Sequence, residues 1–340
     1  MSPGTRSRLL EVDPGSYRPH PLHAAERTWT ETNCYVDLWI ELLHALGLDP
    51  LAAAAFTLST DFEGDQWTFF KFPPEDLRAL FGLEVAEFNV WRPTLDHAEE
   101  QLELGRLFIM DADAWFLPDT QGVSYQIAHV KSAMVPNMID RDARRLGYFH
   151  NAGYFELEGD DFDGVFRQGS YSDPNVLPPY VETVRLDRMR HDPDTLVAGA
   201  VALTKAHLAR RPVDDPMLRL EQRLDDDAAW LRGEGIETFH QYAFGTCRQC
   251  GASAELAASF VDWLAAHDPV APASASQDLE DAAEAFRTVA VTAKALQFSL
   301  ARQSRGRSVD LHGPLAEMSR AYKKAMDGLV ARYSVWELQV

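Results

Sequence analysis

At 340 residues, 46% of them hydrophobic and with a net charge of −20, the chain has apolar material for two domains and is far from a disordered composition. Its acidity argues against nucleic acid and anionic membranes as partners, since both call for Lys and Arg to neutralise phosphate. No apolar run approaches the roughly 18 residues of a membrane span, the opening stretch lacks the apolar core of a signal peptide, and three cysteines make no disulfide framework, so a cytoplasmic protein is expected.

In chain order, residues 1–20, rich in Pro, Gly and His, read as an extended arm. The stretch TNCYVDLWIELLHALGLDP predicts a helix with Thr32 or Asn33 as N-cap, stopped at Gly47 with Pro50 beyond it. The helix is apolar nearly all round. Only Asp37, Glu41 and His44 interrupt it, at helical spacing, so they form one polar stripe on a buried helix. Residues 61–73 read as a loop into a short aromatic strand, and Pro74 to Gly82 and Pro93 to Leu104 as short helices.

Beyond these the period becomes strand-like. RLFIMDADAWFLPD, IAHVKSAMVPNMID and RRLGYFHNAGYFEL are three predicted strands, completing an α+β domain with an antiparallel sheet over 21–185. The prolines of 172–194 read as a linker. From 186 to 340 the pattern is all-helical, with helices near 195–210, 216–232, 236–266, 278–305 and 310–333 and a loop at 268–277.

The chain has no G-x-G-x-x-G, Walker A loop, G-x-S-x-G elbow or H-E-x-x-H. Cys247 and Cys250 form a C-x-x-C, but a zinc site wants about four ligands, and a thioredoxin-type pair follows a strand in a βαβ unit rather than lying in a helical region. We therefore read them as packing residues and expect no metal. DFEGD at 61–65 lacks the rest of a calcium loop and reads as an acidic turn. The few basic clusters read first as solvated charge at turns and helix ends; RDARR at 141–145 lies next to a predicted strand, and Arg144 and Arg145 are where an acidic partner, if there is one, is expected to dock.

Cys34 is the residue that invites chemistry. A thiol in the first turn of a helix meets unpaired N–H groups and the positive end of the macrodipole, which favour thiolate. A cysteine nucleophile also needs a base and a group that fixes the base's tautomer. His129, at the head of HVKSAMVPNMID, and Asn151, closing GYFHN, are the expected base and orienting residue; His150 and Asp140 are alternatives for the latter. Buried packing is the competing reading of the cysteine. The backbone N–H of Cys34 with the side chain of Asn33 or Thr32 is the expected oxyanion hole, and Asp113 a further carboxylate facing the site. In the helical half, TFHQYAFGTCRQCG is dense in polar groups for a helix; hydrogen bonding between helices is one reading of it, and substrate binding through Gln241, Arg248 or Gln249 is the other.

The order of Cys, His and a polar residue, with DAWFLPD at 113–119 between, resembles papain-like thiol enzymes with a compact sheet. Among these it is most similar to the N-terminal domain of the butirosin-pathway acyltransferase. Through ETNCYVDLWIELLHALGLDP, DFEGDQWTFFKFPPEDLRAL and GYFHNAGY the chain also resembles, over nearly its full length, an uncharacterised bacterial family known only as a domain of unknown function, often encoded beside amino-acid:carrier-protein ligases. The resemblance implies a papain-like domain followed by a helical domain. It implies a transferase that takes an acyl or aminoacyl group from a carrier-protein thioester, through an acyl-enzyme on Cys34, to an amine or hydroxyl acceptor. No intrinsic cofactor is implied; the phosphopantetheine arm would arrive on the carrier protein. The carrier-protein acyltransferases and leader peptidases resembled here usually place Asp where Asn151 is expected, while papain itself uses Asn. A hydrolase using the same site, whether peptidase, amidohydrolase or thioesterase, and a non-catalytic scaffold that binds the carrier are the alternatives.

Overall fold

The computed structural model describes residues 7–267 and 273–334; residues 268–272 of the loop expected at 268–277 lie outside them, and 273–277 belong to a helix. The chain clusters into two compact units. One comprises residues 1–24, 33–50 and 74–191, the other 25–32, 51–73 and 192–340, a more interleaved division than a single boundary at 185. Together they make an α+β protein with an antiparallel sheet and an all-helical C-terminal region. Among the described residues no helix is long and apolar enough to cross a membrane.

The first unit contains β1 (Ser7–Arg8), α1 (Cys34–Ala45), α2 (Pro74–Phe81), β2 (Glu84–Glu87), α3 (Thr94–Glu103), β3 (Arg106–Asp113), β4 (Lys131–Asp140), β5 (Arg145–His150), β6 (Gly153–Glu158), α4 (Asp160–Val165) and β7 (Val181–Arg185). Its sheet runs β2-β7-β3-β4-β5-β6, with β1 also on β4, and every pairing is antiparallel. Two sequence expectations change here. The stretch 172–194 holds β7, which pairs with both β2 and β3, so it is no mere linker. The predicted aromatic strand at 61–73 shrinks to one bridge between Phe62 and Trp67. Its apolar side chains instead fill a core beside the short helical run Pro50–Ser59, where Phe56 meets Phe70 and Phe72.

Strand alternation divides the sheet into two faces. Phe108, Met110 and Ala112 of β3, Met134 of β4 and Tyr148 of β5 join one core with Leu95, Ala98 and Leu102 of α3 and Phe162 and Val165 of α4. The intervening residues, Ile109, Asp111 and Asp113 of β3, project to the other face. That face belongs to α1: Tyr35 of α1 donates its hydroxyl to Glu182, which pairs with Ile109, and the helix packs on β4 and β5. Val36, Leu38, Trp39, Leu42 and Leu43 are fully buried, each contributing about 2 kcal/mol by the usual apolar area bookkeeping. Gly47, at φ +73°, closes the helix in the left-handed conformation that a Cβ would resist.

The polar stripe of α1 is answered by the N-terminal arm. His23 bonds Glu41 through Nδ1 at 2.5 Å and approaches Asp37 with Nε2 at 3.3 Å; Tyr17 and the His20 backbone N–H also donate to Glu41. With a carboxylate at each ring nitrogen, the ring must be imidazolium to donate to both. Burial would lower the His23 pKa, but the hydrogen bonds to Asp37 and Glu41 and their charges hold it up at about 9. Burial would raise the Glu41 pKa, and its bonds with His23 and Tyr17 bring it below the ordinary 4.5.

The second unit packs α5 (Pro193–Ala209), α6 (Pro216–Glu234), α7 (Ile236–Ala243), α8 (Gln249–His267), α9 (Ala273–Ser304) and α10 (His312–Ser334), with a π-turn over Phe244–Arg248 between α7 and α8. Its longest contacts run α8 on α9 and α9 on α10. The acidic turn at 61–65 is tied down by Asp61, which accepts from the Phe62 N–H and pairs with Arg219.

Because the His23 pKa of about 9 lies above its ordinary 6.5, its contribution to stability is complete below about pH 6.5 and disappears as pH rises through 9. The Glu41 contribution runs the other way and is lost on acidification below its depressed value. Thermal unfolding followed between pH 6 and 10 should show Tm falling by several degrees, and His23→Gln should flatten that decline.

Candidate active site

Cys34 is the first residue of α1 and is half-buried. Asn33 caps the helix, its side-chain oxygen accepting the Val36 N–H at 3.0 Å. The first N–H groups of a helix have no partner within it, so the Cys34 amide is available as an oxyanion donor beside its own thiol. Thr32 and Asn33 are each buried.

His129 lies two residues before β4, in the loop that leads into the strand rather than on it. Its Nδ1 meets Asp113 Oδ2 at 2.6 Å. Asp113 ends β3 and pairs with Lys131, and the Ala114 N–H donates to the Val130 carbonyl, so the register itself brings carboxylate and imidazole side by side. The other carboxylate oxygen accepts the Trp115 N–H at 3.0 Å, and the Trp115 ring stacks on His129 at 4.6 Å and 11°. Carboxylate and ring are therefore each held twice. With Nδ1–H donated to Asp113, Nε2 carries the lone pair, the tautomer a general base requires. The imidazole is 68% exposed, and Asp113 projects to the face of the sheet on which α1 lies.

This corrects the expected orienting residue. Asn151 sits in the two-residue turn between β5 and β6 at φ +44°, a conformation that Asn adopts more readily than most side chains. Its neighbour His150 pairs with Met134, five residues beyond His129, which is on the order of 15 Å of extended chain. The strand that supplies the partner is β3, on the other side of β4. Asp140, at the opposite end of β4, caps the turn through the Ala143 N–H.

His150 belongs to a different network. It is 0% exposed on the face away from α1, bonded through Nδ1 to Asp119 and through Nε2 to Ser132, both at 2.6 Å, while Tyr148 donates to the other Asp119 oxygen. A Ser–His–Asp chain of this order has the connectivity of a hydrolase triad. Its burial in the α3–α4 core makes it a lock on the β4–β5 pairing and the 118–120 turn. Sequence pattern alone does not reveal it, because Asp119 is contributed by a loop.

The remaining expected residues are dispersed. Arg144 pairs with Asp160 and Asp163, and Arg145 with Glu156, at the hairpin end away from His129; their charge is already neutralised within the unit. Gln241, Arg248 and Gln249 lie in the second unit. There Gln241 is exposed, Arg248 reaches Glu31 and covers the Phe244 ring, and Gln249 is buried. Cys247 and Cys250 are buried in the helical unit. Burial pushes the Cys247 thiol up to about 12 and raises that of Cys250 as well, which suits packing residues.

Residues 18–186 match the DUF1839 N-terminal domain and residues 193–331 the DUF1839 C-terminal domain. A search of curated proteins found no match.

The folded protein should take up one equivalent of iodoacetamide, at Cys34, and three after denaturation, as peptide mapping would show. Ser132→Ala should cost about 1–3 kcal/mol by leaving His150 with an unpaired buried nitrogen, while the alkylation rate of Cys34 stays unchanged.

Proposed function

We propose that this chain, which belongs to the DUF1839 family, is a papain-like acyltransferase that moves an acyl or aminoacyl group from a carrier-protein thioester to an amine or hydroxyl acceptor. The observation that carries the reading is the His129–Asp113 pair, oriented with Nε2 available, on the face of the sheet occupied by the helix that begins at Cys34.

In the first step His129 Nε2 accepts the Cys34 proton and the sulfur attacks the thioester carbonyl carbon. The tetrahedral oxyanion is stabilised by the Cys34 N–H, and its collapse breaks the bond to the phosphopantetheine sulfur, which leaves with the proton from His129. In the second step an amine or hydroxyl attacks the acyl-enzyme, His129 takes the acceptor's proton and returns it to Cys34, and the product departs. Asp113 supports the imidazolium formed in each step. Thioester-to-thioester exchange is nearly isoenergetic, so catalysis rests on positioning and on excluding water. Arg144 and Arg145 have no part in this reading, since their partners and their position take them away from the reacting groups.

Incubation with an aminoacylated carrier protein, followed by intact-mass measurement, should give an acyl adduct that Cys34→Ala abolishes. His129→Ala should slow adduct formation by about 10²–10⁴-fold, and Asp113→Asn should slow it while leaving the fold intact. Loss of the thioester with neither adduct nor transfer product would instead identify a hydrolase. Retained carrier binding without an adduct or turnover would identify a scaffold.

A further inference from the structure

One buried carboxylate on the face of the sheet that α1 covers has no structural counter-charge. Glu182 of β7 is 4% exposed, and its two oxygens accept the hydroxyls of Tyr35 at 2.5 Å and Tyr180 at 2.8 Å. Among the described residues no Lys, Arg or His side chain pairs with it, and the residue directly opposite on β2 is Glu87, a like charge. Buried carboxylates are ordinarily paired with a cation, and like charges facing each other across a sheet are destabilising. Asp111 and Asp113, on the same face, each have their own partner, Lys131 and His129.

The position of Glu182 gives this imbalance a use. Tyr35, which holds one oxygen, is the residue after Cys34, so the carboxylate is anchored to the first turn of α1. Tyr180, which holds the other, is 43% exposed and leads from the carboxylate to solvent.

We propose that Glu182, flanked by the hydroxyls of Tyr35 and Tyr180, recognises an ammonium group on the substrate whose carbonyl is presented to Cys34, or on the acceptor that follows it. The inference deepens the acyltransferase reading and rests on it. An ammonium supplies the missing charge and hydrogen-bond donors to the carboxylate and the phenol oxygens, and a neutral acyl chain supplies neither.

The test compares alanyl-pantetheine with propionyl-pantetheine, which differ by the ammonium, as donors to wild type and to Glu182→Gln, an isostere that keeps hydrogen bonding to both tyrosines. The expected result is at least tenfold faster acylation of Cys34 from the alanyl donor, lost in Glu182→Gln while the propionyl rate stays within about twofold. If the donors acylate equally, ethylenediamine and ethylamine, which share one attacking amine and differ by a second group that can remain ammonium, are compared as acceptors on the propionyl-enzyme; an ethylenediamine preference lost in the same variant places the ammonium on the acceptor and supports the proposal. Equal rates in both steps overturn it. Binding of alaninamide against propionamide, followed by calorimetry, separates the two readings. Selective alaninamide binding that Glu182→Gln removes supports the ammonium site even if no thioester labels Cys34, a result that would sink only the transferase. No selective binding and no labelling would overturn both. Tyr180→Phe, which removes one donor at the exposed side, serves if Glu182→Gln does not fold.

Discussion

The first unit depends on burying a helix that carries two carboxylates into its own core. Asp37 and Glu41 are nearly inaccessible, and either one alone in an apolar interior would cost several kcal/mol. The arm resolves this by bringing one imidazolium between them and a phenol and a backbone amide onto Glu41. With the two carboxylates sharing one positive charge and Glu41 hydrogen-bonded as well, the apolar sides of α1 can be covered at the same time, and the residue at its head is mounted on a rigid element rather than a loop. Positioning of this kind is what the proposed reaction of Cys34 calls for, since small displacements of reacting groups cost large factors in rate.

The sheet then separates two arrangements that look alike on paper. His129–Asp113 and His150–Asp119 are both imidazole–carboxylate pairs at 2.6 Å. Strand alternation sends the first to the face of α1 and the second into the opposite core, so one ring is largely exposed and the other is sealed. In the sealed pair both ring nitrogens are occupied, by Asp119 and by Ser132, and its contribution is to the strand pairing. In the open pair one nitrogen is left for chemistry. Glu182 stands apart from both because hydrogen bonds satisfy its oxygens while its charge has no opposite.

Much of this was readable in the residues. The helix at Cys34, its Asn33 cap and Gly47 stop, the strands at 106–113 and 131–140, and the helices of the C-terminal half all follow from local period and capping chemistry. Non-local relations were not readable. The partner of His129 depends on which neighbouring strand reaches the level of residue 129, and β5 turns back at Asn151 before it gets there. Asn151 had the right residue type for an orienting amide, yet its place in the turn is explained by a left-handed backbone. The strand at 181–185 was masked by the prolines before it, and the polar stripe on α1 had no visible purpose until the histidines of the arm were found against it.

In the proposed reaction the Cys34 sulfur and the His129 ring work as a pair. Treatment of the folded protein with 1,3-dibromoacetone, whose three-carbon bridge joins a thiol to an imidazole only when the two are adjacent, followed by peptide mapping, tests it directly. The expected product is a crosslink between the peptides of Cys34 and His129 that is absent in His129→Ala. Alkylation of Cys34 with no bridge to His129 would contradict it.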